Sequence, residues 1–448
     1  MEENRMGTMP VPKLVLKTGV PLMFSLLIYS LYNFVDSIFV SHISENALTA
    51  LSLAAPVQAL ISTLGSGIAI GTNSAVSRML GKKDRDGLTK TVSTALFLGL
   101  CAGVLVAAIG IPLARPYFMW QSGDNLEIVE YGTNYLHVCL LFTIPIMGQW
   151  LFDHLIMASG RSHLFIVTLS ASSLTNLILD PILIFGLLGL PAMGTAGAAL
   201  STGISQCAGC LTGFFINKKF NKEIPLRLTF KPNKQSFFDI LKVGLPTAFV
   251  RAVVSFQTIL VNSLLIAFSS TAVAVFGVCA KIQGIACVGT YGIDNGTVPI
   301  TAYNYGAKRK DRIYETVRWA MTYAAAIFAV FLVFLEGFPG FVMEMFDASS
   351  TMLDIGIPAL RILSVSWLVA IPCMVLASAF QGLGRGTDSM ILTLARQAVL
   401  PLVLVAAVSP LGNLNLVWWM FTAAELLTLP IGIVLWNRAK KKTIEKTA

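Results

Sequence analysis

Charged residues are scarce in this sequence. Only 12% of its 448 residues are Asp, Glu, Lys or Arg, whereas a soluble domain usually has about 25%. So few charges cannot cover a surface that faces water, and 55% of the residues are hydrophobic. Apolar stretches of about 18 or more residues recur along the whole length, and each is long enough to cross a bilayer as a helix. The composition predicts an all-α integral membrane protein with the lipid bilayer as its surroundings.

Motifs of catalysis and of nucleotide hydrolysis are also missing. The sequence has no HExxH, GxSxG or GxxxxGK[ST] motif and only four His residues, which argues against a membrane enzyme and an ATP-driven pump. The seven Cys residues all lie inside apolar runs, so we expect buried thiols and no disulfide framework. No cofactor is expected. The N-terminus has no signal-peptide pattern, so the first apolar stretch is expected to be a retained helix.

Hydropathy predicts twelve transmembrane helices. We place them at 14–42, 47–80, 90–118, 126–158, 163–189, 194–217, 238–268, 272–304, 313–335, 351–382, 389–409 and 414–437.

Alternate loops are basic, and this pattern predicts the orientation of the chain. Most Lys and Arg residues lie in the N-terminal segment and in every second loop, with Arg385 and Arg396 counted in one of those loops. Short loops rich in Lys and Arg stay in the cytoplasm. We therefore predict a multi-pass protein with both termini in the cytoplasm. The membrane also explains the net charge of +9, so no nucleic acid partner is expected.

The two halves of the chain repeat each other at an offset of about 225 residues. The segment LKTGVP at 16–21 matches LKVGLP at 241–246, and GIAIGT at 67–72 matches GIDNGT at 292–297. Six helices in each half give two parallel repeats, which in transporters rock against each other around a site near the middle of the membrane. We predict three parts: an N-terminal lobe at 1–217, a cytoplasmic linker at 218–237 and a C-terminal lobe at 238–448.

Polar residues at similar depths in the N-half predict a site for a cation. Asp36 and Asp180 both lie about six to nine residues below the outer ends of their helices, which is roughly 10 Å at 1.5 Å per residue. Tyr32 precedes Asp36 by four residues and Asn176 precedes Asp180 by four, so each pair shares one helix face. Thr202 is at a similar depth in helix 6. Such carboxylates can exchange protons or bind Na⁺ with neighbouring oxygens.

Asp153 is a further acidic residue in the N-half, and it is expected lower in the same cavity. His154 follows it directly and is therefore expected to point elsewhere, with a structural role.

The C-half has intramembrane residues of mostly opposite charge. Lys281 and Arg361 are expected to pair with Glu425 or Asp294, or to reach the interface with their charged ends, while contact with a substrate is the alternative. The residues in this group are Arg251, Lys281, Asp294, Arg361 and Glu425.

Several segments together resemble the multidrug and toxic compound extrusion (MATE) family. They are LTALSLAAPV at 48–57, NLILDPILIFGLLGLPAMGTAGAALST at 176–202, YNYGAKRKDR at 303–312 and FQGLGRGTDSM at 380–390. The resemblance covers essentially the whole chain. It implies two six-helix lobes around a central cleft, and export of small organic, often cationic compounds driven by inward H⁺ or Na⁺.

The resemblance also implies which residues bind the coupling ion. One branch of the family has a helix 1 Asp, a helix 5 Asn and Asp four residues apart, and a helix 6 Thr, and this pattern is similar to Asp36, Asn176, Asp180 and Thr202. Asp153 stands where that pattern has an Asn. These five residues are the predicted ion-coupling residues, and all except Asp153 are the predicted ligands if the ion is Na⁺.

Another branch of the family has acidic ligands in helices 7 and 10, where this chain has no carboxylate in the membrane interior, so coupling is expected in the N-lobe. The predicted residues of the substrate cleft are Tyr32, Gln257, Asn262, Lys281 and Arg361. A monomer in a bacterial inner membrane is expected. The alternative function is a flippase of lipid-linked or polysaccharide intermediates from the same wider superfamily.

Overall fold

The structure, a computed structural model, describes residues 4–41, 45–122, 125–346 and 348–447. For 32–41, 45, 48 and 447 it describes the backbone alone. All regular structure in these residues is helical.

Eight helices form the first half of the chain. They are α1 (Arg5–Thr8), α2 (Val11–Ser41), α3 (Glu45–Lys82), α4 (Arg85–Ser122), α5 (Leu126–Leu141), α6 (Thr143–Ala158), α7 (Phe165–Phe185) and α8 (Gly194–Phe220). The second half contains α9 (Lys234–Leu265), α10 (Ser270–Ala286), α11 (Val288–Gly306), α12 (Lys310–Gly337), α13 (Pro339–Glu344), α14 (Ser350–Gly382), α15 (Gly386–Leu394), α16 (Leu400–Val408), α17 (Leu414–Ala439) and α18 (Glu445–Thr447).

Ten described segments are single helices long and apolar enough to span a membrane. Two bent pairs, α5 with α6 and α10 with α11, pass the same test together, with bends of 49° and 56°. Counting each pair as one span gives twelve, which confirms the prediction from hydropathy. The predicted helices 4 and 8 are broken at Phe142 and Cys287, each of which has a ψ near 0° that ends one helix and starts the next.

Polar side chains fix several helix starts. The side chains of Ser269, Ser349 and Asn413 each accept a hydrogen bond from a backbone N–H in the first turn of α10, α14 and α17. Such caps satisfy donors that have no partner inside the helix. At the end of α7, Gly186 has φ 74°, a left-handed conformation that glycine adopts without strain.

The described chain forms two compact units. Unit 1 comprises Phe24–Gly244, and unit 2 comprises the segment that ends at Met23 together with the chain from Leu245 onward. The first segment of α2 therefore packs in unit 2, and the first segment of α9 packs in unit 1. Both boundaries lie within three residues of the matching prolines Pro21 and Pro246. The division into lobes at 1–217 and 238–448 stays a prediction. The structure adds that the first segments of α2 and α9 are exchanged, since each packs in the unit that does not contain the rest of its helix.

The repeated glycines are the points where the exchanged segments make their closest contacts. In unit 2, a Cβ atom on Gly292 of α11 would lie 2.6 Å from a backbone nitrogen of α2. In unit 1, a Cβ atom on Gly71 of α3 would lie 2.2 Å from the carbonyl oxygen of Ile240 in α9. Only residues without a side chain allow backbones to approach so closely.

Candidate functional site

Unit 1 contains a polar and aromatic cavity of about 320 Å³. It lies among α2, α3, α5, α6, α7 and α8, and the described residues that line it include no Lys or Arg. Its polar and aromatic lining consists of Tyr29, Gln58, Ser62, Tyr135, Phe142, Gln149, Trp150, Asp153, His154, Phe165, Ser172, Ser173, Thr202 and Gln206.

Among the described residues that line this cavity, Asp153 is the only carboxylate. The residue is 5% exposed, and its Oδ1 accepts a hydrogen bond of 2.6 Å from Thr168 Oγ1 on α7. Gln149, one turn earlier on α6, also faces the carboxyl group. These partners are neutral. A buried carboxylate with neutral partners is costly to keep ionised, so a proton or a bound cation stabilises this site.

The expected orientation of His154 was wrong, because His154 lines the same cavity as Asp153. Its Nδ1 lies 3.0 Å from the Trp150 carbonyl oxygen, and the two rings are tilted against each other at 5.9 Å. Both side chains fit because the cavity is bounded by several helices, so adjacent positions on α6 reach it from different sides.

Glycines on α8 let the side chains of α6 and its preceding turn lie flat against the helix backbone. A Cβ atom on Gly209 would lie 2.5 Å from the Gln149 amide, and one on Gly203 would lie 2.2 Å from the Phe142 ring. The glycine-rich sequence of α8 thereby positions Gln149 beside Asp153.

Next to the cavity, Asn176, Asp180, Ser201 and Thr202 form a polar cluster. Asn176 Nδ2 donates to Asp180 Oδ1 at 3.3 Å and lies 3.4 Å from the hydroxyls of Ser201 and Thr202. Ser201 Oγ donates to Asp180 Oδ1. Asn176 and Asp180 are both 1% exposed. The structure brings three of the predicted ion-coupling residues together, and it adds Ser201.

Thr202 connects the cluster to the cavity, because its hydroxyl faces Asn176 and the residue also lines the cavity. Sequence reasoning missed Ser201, although its position directly before Thr202 was an available signal.

Two predicted residues lie outside the described side chains. Tyr32 and Asp36 are within α2, and only the backbone of that part of the helix is described.

The predicted cleft residues of the C-half differ in exposure. Gln257 is buried on α9, and Asn262 is partly buried with an Oδ1 that has no hydrogen-bond partner in the described structure. Lys281 and Arg361 are exposed. Arg361 Nε lies 3.9 Å from Glu336 Oε2 on α12. The expected pairing of Arg361 with Glu425 or Asp294 is therefore wrong.

Glu425 instead pairs with Arg396. Arg396 was expected in a loop, but it lies in a helical turn. Arg396 Nη1 lies 3.1 Å from Glu425 Oε1, and both residues are more than nine-tenths buried. Arg396 follows Gly386, the first residue of α15, by ten positions and sits in a π-helical turn at Ala395–Val399. Its nearness to Arg385 in sequence made it look like a loop residue.

The described residues form twelve spans when each bent pair is counted as one. Together with the internal repeat and the polar cavity, they define the class of the chain as a multi-pass membrane transporter. The profile of the MatE family matches residues 21–182 and again 246–406, two ranges related by the same offset of 225. The chain therefore belongs to the MATE family of multidrug efflux transporters.

Relatives with known names agree with this assignment. The multidrug export protein MepA of Staphylococcus aureus (strain MSSA476) is 24% identical over 441 residues, which is 97% of this chain and 96% of that protein. MepA of Staphylococcus haemolyticus is also 24% identical, with the same coverage.

Solved structures agree as well. A crystal structure of MATE in complex with MaL6 superposes with a TM-score of 0.90 at 26% identity and covers 100% of both chains. A transporter of the MOP superfamily from Pyrococcus furiosus, whose binding pocket is described as having reverse polarity, superposes with a TM-score of 0.89 at 25% identity over 99% of both chains.

Proposed function

We propose that this protein is a secondary active antiporter that exports small organic compounds, often cations, in exchange for H⁺ or Na⁺. The observation that carries the proposal is the cavity of unit 1, whose described lining combines the buried carboxylate of Asp153 with aromatic and amide side chains and contains no Lys or Arg. An aromatic cation would contact ring faces, which attract positive charge. Its positive charge would also neutralise the carboxylate of Asp153. A membrane transporter with such a cavity has the chemistry needed to bind many lipophilic cations weakly.

Exchange follows from competition for negative charge. A proton or Na⁺ neutralises Asp153 or the nearby Asn176–Asp180 cluster. This ion and a cationic substrate reduce each other's affinity, because each removes the negative charge that attracts the other. This coupling is reciprocal. An inward gradient of the coupling ion then drives release of substrate outside, provided that the ion binds the two conformations of the transporter differently. Asp36 is a further proposed participant, from its position in the sequence.

The oxygens of the cluster fit either coupling ion. Asn176 presents its Nδ2 to Asp180, while its Oδ1 is buried and has no hydrogen-bond partner among the described residues. A proton on Asp180 leaves this arrangement in place. For Na⁺ the amide turns over, so that Asn176 Oδ1, Asp180, Ser201 and Thr202 supply oxygens together.

The cavity lining disfavours the flippase alternative for unit 1. Lipid-linked and polysaccharide intermediates carry phosphate, which proteins bind with Arg and Lys. Neither residue type occurs in the described lining of this cavity. We further propose that the protein works as a monomer in a bacterial cytoplasmic membrane with both termini in the cytoplasm, in line with the basic loops.

Transport into vesicles tests the proposal. We expect purified protein in proteoliposomes to move a fluorescent aromatic cation when either a pH gradient or a Na⁺ gradient is imposed, and the effective gradient identifies the ion. Asp36→Asn and Asp180→Asn should abolish gradient-driven transport. Asp153→Asn should weaken binding of the cation by about 10- to 100-fold, since a hydrogen bond to a charged group contributes about 1.5–3 kcal/mol, and should leave an uncharged aromatic compound of similar size unaffected.

Glu130→Gln is the matched control, because Glu130 is an exposed carboxylate on α5 in the same unit. It should transport as the unmodified protein does. If Asp36→Asn and Asp180→Asn both retain full gradient-driven transport, the proposed coupling is wrong.

A further inference from the structure

Unit 2 contains a second group of charged side chains that belongs neither to the cavity nor to the predicted coupling residues. Arg396 and Glu425 are buried, and Asp294 is partly buried. Arg396 pairs with Glu425 Oε1 at 3.1 Å, and Glu425 Oε2 is buried with no hydrogen-bond partner among the described residues. Asp294 on α11 lies within electrostatic range of Arg396 and faces Ser378 of α14. Its Oδ1 is also buried and has no partner in the described structure.

The charges of this group do not balance. Arg396 contributes one positive charge, whereas Glu425 and Asp294 contribute two negative charges when both are ionised. Uncompensated charge inside a membrane protein costs several kcal/mol, which is why ionisable residues there are paired or neutral. One positive charge is missing.

Other polar and ionisable groups around the two acids do not supply this charge. Tyr291 lies near both Asp294 and Cys287, and Cys373 of α14 lies near Glu425. Arg251 of α9 is in range of Tyr291 but is itself exposed. Thr290, one turn before Asp294, is also buried with an unpartnered hydroxyl, so this face of α11 has spare acceptors and donors.

The backbone at Arg396 is unusual as well. Residues Ala395–Val399 form a single π-helical turn between α15 and α16. Single π-helical turns are rare and are frequently found at functional sites. Arg396, which pairs with Glu425, therefore lies on a segment with two possible geometries, the π-helical turn seen here and a normal α-helical turn.

We propose that Asp294, Glu425 and Arg396 form a second proton-binding site, in which the proton sits on Asp294 while Arg396 pairs with Glu425. Protonation converts the Asp294 carboxylate into a neutral carboxyl group, so the three residues together become uncharged. Turning Arg396 from Glu425 toward Asp294 reverses the roles, since Asp294 then gives up its proton and Glu425 takes one. Na⁺ fits less well, because a guanidinium lies beside the carboxylates and the described residues contain no group of three or more acidic, His or Cys ligands.

Infrared spectroscopy of the purified protein in lipid tests this site without any transport measurement. The proposal stands on proton binding alone, so its outcome is separate from that of the export proposal. The signal of protonated carboxyl groups in D₂O counts them. Relative to the unmodified protein, Asp294→Asn should lose one protonated carboxyl. Glu425→Gln should also lose one, because Arg396 is then free to pair with an ionised Asp294. Arg396→Gln should gain one.

Glu336→Gln is the matched control, since Glu336 is a partly exposed carboxylate near Arg361 in the same unit. It should leave the count unchanged. Asp294→Asn has nearly the same shape as the protonated residue, so it is expected to fold. If the protonated-carboxyl signal is the same in Asp294→Asn and Glu425→Gln as in the unmodified protein, no proton is bound here and the proposal is wrong.

Discussion

The two units handle their buried acids in different ways, although their sequences repeat each other. In unit 1, Asp153 and Asp180 face hydroxyl and amide groups of Thr168, Asn176 and Ser201. In unit 2, Glu425 is held by Arg396. Neutral partners leave an acid dependent on a cation from outside the protein, whereas an arginine supplies that charge permanently.

This difference sharpens the contrast that the sequence indicated. The intramembrane charges of the C-half were expected to be mainly positive, but Arg251, Lys281 and Arg361 are exposed. Among the described residues of unit 2, Arg396 and Glu425 are buried, and Asp294 is partly buried with a buried Oδ1.

Removing Arg396 should produce the largest loss of stability. It tests directly whether an arginine stabilises the buried acid of unit 2, in contrast to the neutral partners in unit 1. Arg396→Leu leaves Glu425 buried without its partner, and losing one member of a buried ion pair costs about 3–5 kcal/mol. We expect a strongly lowered midpoint of thermal unfolding in detergent. The double variant Arg396→Leu with Glu425→Leu should recover most of the loss, since a well-packed apolar pair can replace a buried ion pair.

Arg361→Leu is the control for that experiment, because Arg361 is exposed and lies 3.9 Å from its acid. It should unfold close to the unmodified protein, since exposed ion pairs contribute about 0–1 kcal/mol. An equal loss in Arg361→Leu and Arg396→Leu would contradict the role assigned to burial.

Alanine at the repeated glycines should come next and should affect both units alike. A Cβ atom at Gly71 would lie 2.2 Å from a backbone oxygen of α9, and one at Gly292 would lie 2.6 Å from a backbone nitrogen of α2. Backbone atoms cannot move aside easily, so each Ala should lower stability by about 1–3 kcal/mol. Thermal unfolding in detergent measures both.

Gly277→Ala is the matched helical control, since a Cβ atom there meets nothing within 4 Å. It should be neutral or slightly stabilising. A large loss at Gly71 with none at Gly292 would show that only one of the two exchanged segments depends on a close glycine contact.

The sequence predicted the helices well because a bilayer requires long apolar segments, and the repeat followed from matching glycines and prolines. The spacing of Asn176 and Asp180 predicted their contact, because positions four apart share a helix face. These features depend on local sequence.

Arg396 and the exchanged segments could not be predicted in the same way. Counting basic residues near loops assigned Arg396 to the cytoplasm, since its partner Glu425 is 29 residues away in sequence and nothing local indicates the pair. The exchange of first segments likewise depends on which glycines meet in three dimensions. Pro21 and Pro246 indicated a kink in the first helix of each half. They did not indicate that each helix changes its packing partner at that point.

The start of the chain offers a smaller effect specific to unit 2. Arg312 of α12 donates from Nη2 to the carbonyl oxygens of Met6 at 3.0 Å and Met9 at 2.6 Å, and from Nε to Asn304 Oδ1 at 3.0 Å. Arg312→Gln should loosen the segment around α1, at a cost of about 1–3 kcal/mol for charged hydrogen bonds. Hydrogen exchange of the amides at 5–14 should become faster. Arg318→Gln, at an exposed position on the same helix, should leave it unchanged.

The corresponding segment of unit 1 is held without charge, and this gives the smallest expected effect. The equivalent helix α4 offers Thr94, whose Oγ1 accepts from the backbone N–H of Asn233 at 3.0 Å, and Thr91, whose hydroxyl lies 3.2 Å from that of Ser236. Thr94→Val removes one neutral hydrogen bond, so amide exchange at 233–237 should become faster by an amount equivalent to about 0.5–1.5 kcal/mol. This loss should be smaller than the loss in Arg312→Gln, because no charged group is involved. An equal or larger loss in Thr94→Val would contradict the distinction between a charged and a neutral attachment.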